Sequence, residues 1–144
     1  MQLGLMFFAS SPDALLGEKY RLLIESAKFA DANGFSSLWV PERHFIHMGC
    51  LYPNPAVLQA ALARETKRLG LRAGSVVAPI HHPIRIAEEW AMVDNLSAGR
   101  IGVSFASGWH PDDFTFFPER YTQRHEAMYA AIDQKTPKHR RGES

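Results

Sequence analysis

The chain has 144 residues, 46% hydrophobic and 22% charged, which suits one ordinary domain with a core and excludes a disordered segment. A formal charge of +1, with no Lys/Arg stripe before the last few residues, gives no electrostatic case for nucleic acid or an anionic membrane. One cysteine, Cys50, cannot close an internal disulfide, and no apolar run approaches the roughly 20 residues that span a bilayer, so a cytoplasmic soluble protein is expected.

The N-terminal "MQLGLMFFASS" has no basic leader and is followed by Asp13 and Glu18, so it reads as a strand and not as a signal peptide. That strand is "LGLMFF", residues 3–8, closed by Ser10, Ser11 and Pro12. Leu16, Tyr20, Leu23, Ala27 and Ala30 then recur at helical spacing up to the stop at Asn33-Gly34. "FSSLWV", residues 35–40, is a second strand. Asn54 is placed to cap a helix with Pro55 at its first position, running through Val57, Leu58, Ala61 and Leu62 towards Gly70. A third strand, residues 71–77, stops at Pro79. Pro83 begins a helix with Ile86, Trp90, Val93 and Leu96 roughly on one face and Gly99 as its stop. Residues 100–105 form a fourth strand, followed by a Gly/Ser/Pro/Asp-rich loop and a helix over 118–134. Residues 135–144 form a basic polar tail.

Apolar strands alternating with amphipathic helices predict a parallel α/β sheet covered by helices, either doubly wound or part of an eight-fold barrel. In both architectures ligands gather where strands end, and "WVPERHFIHMGC" follows directly on the second strand. Glu42, Arg43, His44 and His47 admit three readings. One is a metal site, which neither their spacing nor any cysteine cluster supports. The second is an ion pair of Glu42 with Arg43 or a neighbouring helix, with His44 stacking its ring. The third is a ligand-facing loop. Ala73, Gly74 and Ser75 leave side-chain volume missing inside a strand, for a flat ligand, a close backbone or tight packing. His81 and His82 precede Pro83, and His82 can cap that helix. After the fourth strand, Ser104, Ser107 and Gly108 offer the hydroxyls and free N–H groups of an anion nest, although nucleotide fingerprints are missing. Trp109 and His110 could contact a ligand or close the mouth.

Taken together, "FSSLWVPERHF", "NPAVLQAALA", "LRAGSVVAPIHHPIRIAEEWAMVDNLSAGRIGVSFASGW" and "DDFTFF" resemble the bacterial luciferase-like flavin monooxygenases over roughly residues 1–130. Within that family, "PERHF" and "ASGWHPDDF" look most similar to the branch associated with biosynthetic assembly lines. The resemblance implies a (β/α)8 TIM barrel, reduced FMN supplied by a separate flavin reductase, and O2. One oxygen atom would pass to an organic substrate through a flavin C4a-hydroperoxide. It further implies that the flavin ring lies against a non-proline cis peptide whose matching positions are Gly74-Ser75. Luciferases carry their catalytic His where this chain has Arg43, and His44 matches the second His. His44 is therefore the expected proton-transfer residue, with Arg43 placed to stabilise a peroxy anion. The luciferase thiol and its neighbouring phosphate-binding Arg match Ala106 and Ser107. Ser107, Gly108 and Trp109 are then the expected cofactor contacts.

A full barrel takes about 250 residues, so residues 1–134 correspond to its first four βα units. A truncated or frameshifted form of the barrel is expected, or a genuine half-barrel whose open edges pair with a second copy or with a C-terminal half. The rival readings are a deazaflavin-dependent dehydrogenase or reductase of the same superfamily, and a non-catalytic half-barrel acting as an interaction module.

Overall fold

A computed structural model of the chain describes residues 1–8, 17–45 and 51–135. In chain order they form β1 (Gly4–Met6), α1 (Arg21–Ala32), β2 (Ser37–Val40), α2 (Pro55–Glu65), β3 (Gly70–Val77), α3 (Pro83–Ser97), β4 (Ile101–Ala106), α4 (Pro118–Thr122) and α5 (Arg124–Lys135). Short 3-10 turns at Ala78–Ile80 and Pro111–Phe114 follow β3 and β4. Leu16 and residues 10–12, 47, 50 and 136–144, named above, lie outside the described residues.

The helices start and stop where local chemistry dictates. Asn54 Oδ1 accepts the Val57 N–H at 3.1 Å, and Pro55 occupies the first turn, where no N–H is needed. His82 caps α3, its Nδ1 accepting the Ile84 N–H at 3.3 Å. Helix α2 ends at Glu65 instead of continuing towards Gly70. Thr66 turns extended there, and its hydroxyl donates to the Leu62 carbonyl at 2.7 Å. The helix expected over 118–134 is broken at Gln123 into α4 and α5. Val57 and Leu96, both assigned to helices from their spacing, are exposed.

All four strands are parallel in the order β1-β2-β3-β4. A doubly wound sheet would reverse direction at a switch point, whereas this sheet adds each strand on the same side, as half of a (β/α)8 barrel does. Strand alternation separates the two faces. Leu38 and Val40 of β2 are fully buried beneath Leu23, Ala27 and Ala30 of α1, and they pack with Leu62, Leu69 and Leu71. A second cluster joins Ala73 and Val76 to Ile86, Trp90 and Val93 of α3. On the opposite, concave face Met6 is exposed, and Trp39, Arg72 and Gly74 are half-buried.

Candidate functional site

The ends of β2, β3 and β4 bring the polar loops together on one rim. Glu42, two residues past β2, is fully buried. Its Oε2 accepts the Val77 N–H at 2.7 Å from the end of β3. Its Oε1 lies 2.8 Å from His44 Nε2 and 2.5 Å from His81 Nε2. Burial works to raise the Glu42 carboxyl. The hydrogen bonds from His44 and His81, the His81 charge and the Val77 N–H outweigh it and hold the group below the usual carboxylate range.

Of the readings given above, an ion pair of Glu42 with Arg43 does not form. Consecutive side chains point apart, and the Arg43 guanidinium donates to the Glu42 main-chain carbonyl at 2.9 Å. Its charged end stands 5.8 Å from the ring centres of both Phe8 and Trp109. Among the described residues its buried Nε has no hydrogen-bond partner. The His44 ring is tilted against Phe45, with centroids 6.0 Å apart. The His44 N–H donates to Asp113 Oδ1 at 3.3 Å. Asp113 is only 5% exposed, and its second oxygen has no partner among the described residues. Burial raises the Asp113 carboxyl, against the His44 N–H and the charges of His44, Arg43 and His110.

The Gly74-Ser75 peptide is cis. A Cβ at Gly74 would stand 2.9 Å from Trp39 Cε3, so the indole covers the volume that the missing side chain leaves. Ser104 Oγ lies 2.8 Å from the Ala73 carbonyl and 2.9 Å from Ser75 Oγ. With one hydroxyl proton, Ser104 donates to the carbonyl and accepts from Ser75. Ser107 is half-buried beside buried Gly108, which has φ +80° and where an added Cβ would stand 2.7 Å from Phe114 Cε2. Trp109 is 56% exposed and meets His110 edge to face at 5.1 Å. Phe8, Phe45 and Phe116, also exposed, complete an aromatic mouth.

Thus Arg43, His44 and Trp109 come together at the rim, while Gly74 and Ser75 lie deeper in the sheet. His81 and Asp113 were not singled out from the sequence as partners of Glu42 and His44. The usable signal was the pair His81-His82, since a helix start needs only one cap. His47 lies outside the described residues. Among the described residues no group of three or more His, Cys, Asp or Glu could hold a metal ion, and no helix is long and apolar enough to cross a membrane.

A parallel half-barrel with an aromatic, cationic rim after β2 and β4 is part of a TIM-barrel framework, a fold whose ligands bind at the strand ends. The family model described as luciferase-like monooxygenase matches residues 1–133, and the chain belongs to that family. It is 40% identical over 89 residues to the oxygenase component of the flavin-dependent trigonelline monooxygenase of Acinetobacter baylyi, covering 62% of this chain and 24% of that protein. The crystal structure of the monooxygenase RslO1 from Streptomyces bottropensis superposes with a TM-score of 0.77 at 31% identity, over 89% of this chain and 42% of that one. The oxygenating constituent of 3,6-diketocamphane monooxygenase of Pseudomonas putida, solved in complex with FMN, superposes with a TM-score of 0.82 at 22% identity over 92% of this chain, and shares its fold. This chain covers 38% of it. The chain therefore spans about a quarter of the curated relative and about two-fifths of the solved structures.

Proposed function

We propose that residues 1–134 supply the N-terminal half of an FMN-dependent monooxygenase site, which places one atom of O2 into a small organic substrate. The observation that carries this reading is Arg43. Its guanidinium lies 5.8 Å from the ring centres of both Phe8 and Trp109, and its buried Nε–H lacks an acceptor among the described residues. An orphaned donor near two aromatic rings fits the polar edge of a flat, electron-rich ring system such as a flavin. When bound, reduced FMN supplies the O2 activation that no protein side chain provides.

Around that group, Arg43 stabilises developing negative charge. His44 handles the proton at Nδ1, because its Nε2 is engaged by Glu42. The Gly74-Ser75 peptide, with Trp39 packed over Gly74, backs the site from below, Trp109 flanks it, and Ser107 with the Gly108 N–H receives the phosphate. Phe8, Phe45 and Phe116 exclude water at the mouth. A C-terminal half, or a second copy of the chain, covers the open edges of β1 and β4. The reduced flavin comes from a separate reductase in the cytoplasm.

The test is titration of FMN and FMNH2 with the folded chain, alone and with the C-terminal half of a relative. Quenching of flavin fluorescence, with oxygen consumption in the reconstituted form, supports the proposal. Hydride transfer to a deazaflavin without oxygen consumption would favour the dehydrogenase reading. Failure to bind either flavin would favour a non-catalytic half-barrel.

A further inference from the structure

We propose that the concave face of the sheet is closed by a set of strands unlike its own, and that those strands bring a carboxylate onto Arg72. This rests on the half-barrel reading above and decides between the two coverings named there, in favour of a C-terminal half and against a second copy.

Arg72 is the one charged residue in the four strands. Strand pairing sets Met6 beside Trp39, Trp39 beside Arg72 and Arg72 beside Gly102, so these four make one row across the concave face. Two glycines leave room for the guanidinium to lie along the sheet. A Cβ at Gly102 would stand 2.6 Å from Arg72 Cδ and 2.9 Å from its Nε, and one at Gly70 would stand 3.0 Å from its Nη2. Nη1 donates to the carbonyls of Arg100 at 2.7 Å and Leu71 at 3.3 Å. Among the described residues Nε and Nη2 make no hydrogen bond, and the guanidinium enters no ion pair.

The side chain is only half-buried while the face is open. Closing the face takes the guanidinium out of water, which is costly unless a carboxylate meets it, and its planar fork fits one at two points. The rest of the row offers none. Met6 brings a thioether, Gly102 no side chain, and the Trp39 N–H is itself a donor, to Ser37 Oγ at 3.0 Å. Glu42, past the end of β2, is committed to Val77, His44 and His81. A second copy does no better. Its strands hold no Asp or Glu, and it would add another Arg72 to the same closed interior, where like charges repel.

The full chain carrying Arg72→Glu stands in for the acid-bearing half. Sedimentation of the original chain, of Arg72→Glu and of their equimolar mixture, at low and high salt, reads the pairing. The mixture should associate about tenfold or more tightly than either chain alone, an advantage that shrinks as salt rises. Arg72→Met, neutral and of similar length, should self-associate more tightly than the original chain. Self-association of the original chain as tight as that of the mixture overturns the proposal, as does a mixture no tighter than its components. Should circular dichroism show Arg72→Glu unfolded, the Arg72→Met comparison decides, and equal self-association of that variant and the original chain overturns the proposal. FMN titration of the same samples separates the two readings. Charge-dependent pairing without flavin binding would sink the flavin reading alone. Flavin binding with no effect of residue 72 on pairing would sink this one.

Discussion

Asp31 and Leu69 are 38 residues apart, and Asp31 Oδ1 accepts the Leu69 N–H at 2.6 Å. The same carboxylate takes the N–H groups of Arg68 at 2.7 Å and Lys67 at 3.0 Å. The end of α1 thereby holds the segment that leads α2 into β3. Removing the acceptor in Asp31→Ala should lower stability by about 1–3 kcal/mol, read as a shift in the urea midpoint at neutral pH.

That loss should depend on pH. Burial tends to raise the Asp31 carboxyl, but the N–H groups of Arg68, Leu69 and Lys67 and the Arg68 charge bring it below its ordinary value. A lowered folded value means the stabilisation is fully present above the unfolded aspartate pKa of about 3.9 and disappears as pH falls through the folded one. Urea midpoints of the original chain and Asp31→Ala should therefore converge in acid. A constant gap down to acid pH would show that the carboxylate charge plays no part.

Arg100 gathers carbonyls where three elements meet. Its guanidinium donates to the carbonyls of Ala63, Thr66, Leu69 and Ser97 and to the Thr66 hydroxyl, at 2.7–3.1 Å. A lysine offers one point of charge in place of a planar fork. Arg100→Lys should cost about 2–3 kcal/mol by thermal or chemical unfolding, several hydrogen bonds being lost at once. A change within noise would mean water replaces these contacts freely.

Gly108 has φ +80°, and a Cβ there would lie 2.7 Å from Phe114 Cε2. Phe114 is itself buried, so the ring has little room to yield. Gly108→Ala should destabilise the chain by about 1–3 kcal/mol and weaken flavin binding by moving the loop that carries Ser107 and Trp109. Calorimetry beside flavin titration checks both. Unaltered stability would place the loop in a different conformation from the one described.

His44→Ala removes one hydrogen bond to buried Glu42, at a cost of up to about 2 kcal/mol in stability. Product formation by the reconstituted oxygenase should fall further, on the order of 10²–10⁴-fold, if this ring transfers the proton. Equal losses in stability and turnover would make His44 a packing residue.

Much of the frame could be read along the chain. The Asn54-Pro55 start of α2, the His82-Pro83 start of α3 and the parallel α/β class rest on caps, periods and strand composition, whose partners lie within about four residues. The break at Gln123 and the early end of α2 were not visible, because helix ends respond to the packing and to competing hydrogen bonds such as that of Thr66. At the site, Arg43, His44 and Trp109 were marked by their position after strands, and the resemblance pointed to the Gly74-Ser75 peptide that is cis in the structure.

The pairings were another matter. Glu42 with His81 spans 39 residues, and His44 with Asp113 spans 69. Sequence alone determined the order of elements and the family, and it marked the strand-end loops where the proposed site lies, since these rest on local patterns and motifs. Only tertiary structure decided that Glu42 turns from its neighbour Arg43 to two imidazoles, and that Trp39 covers Gly74. Such choices are made between groups far apart in the chain, when burial forces each polar atom to find a partner and each void to be filled.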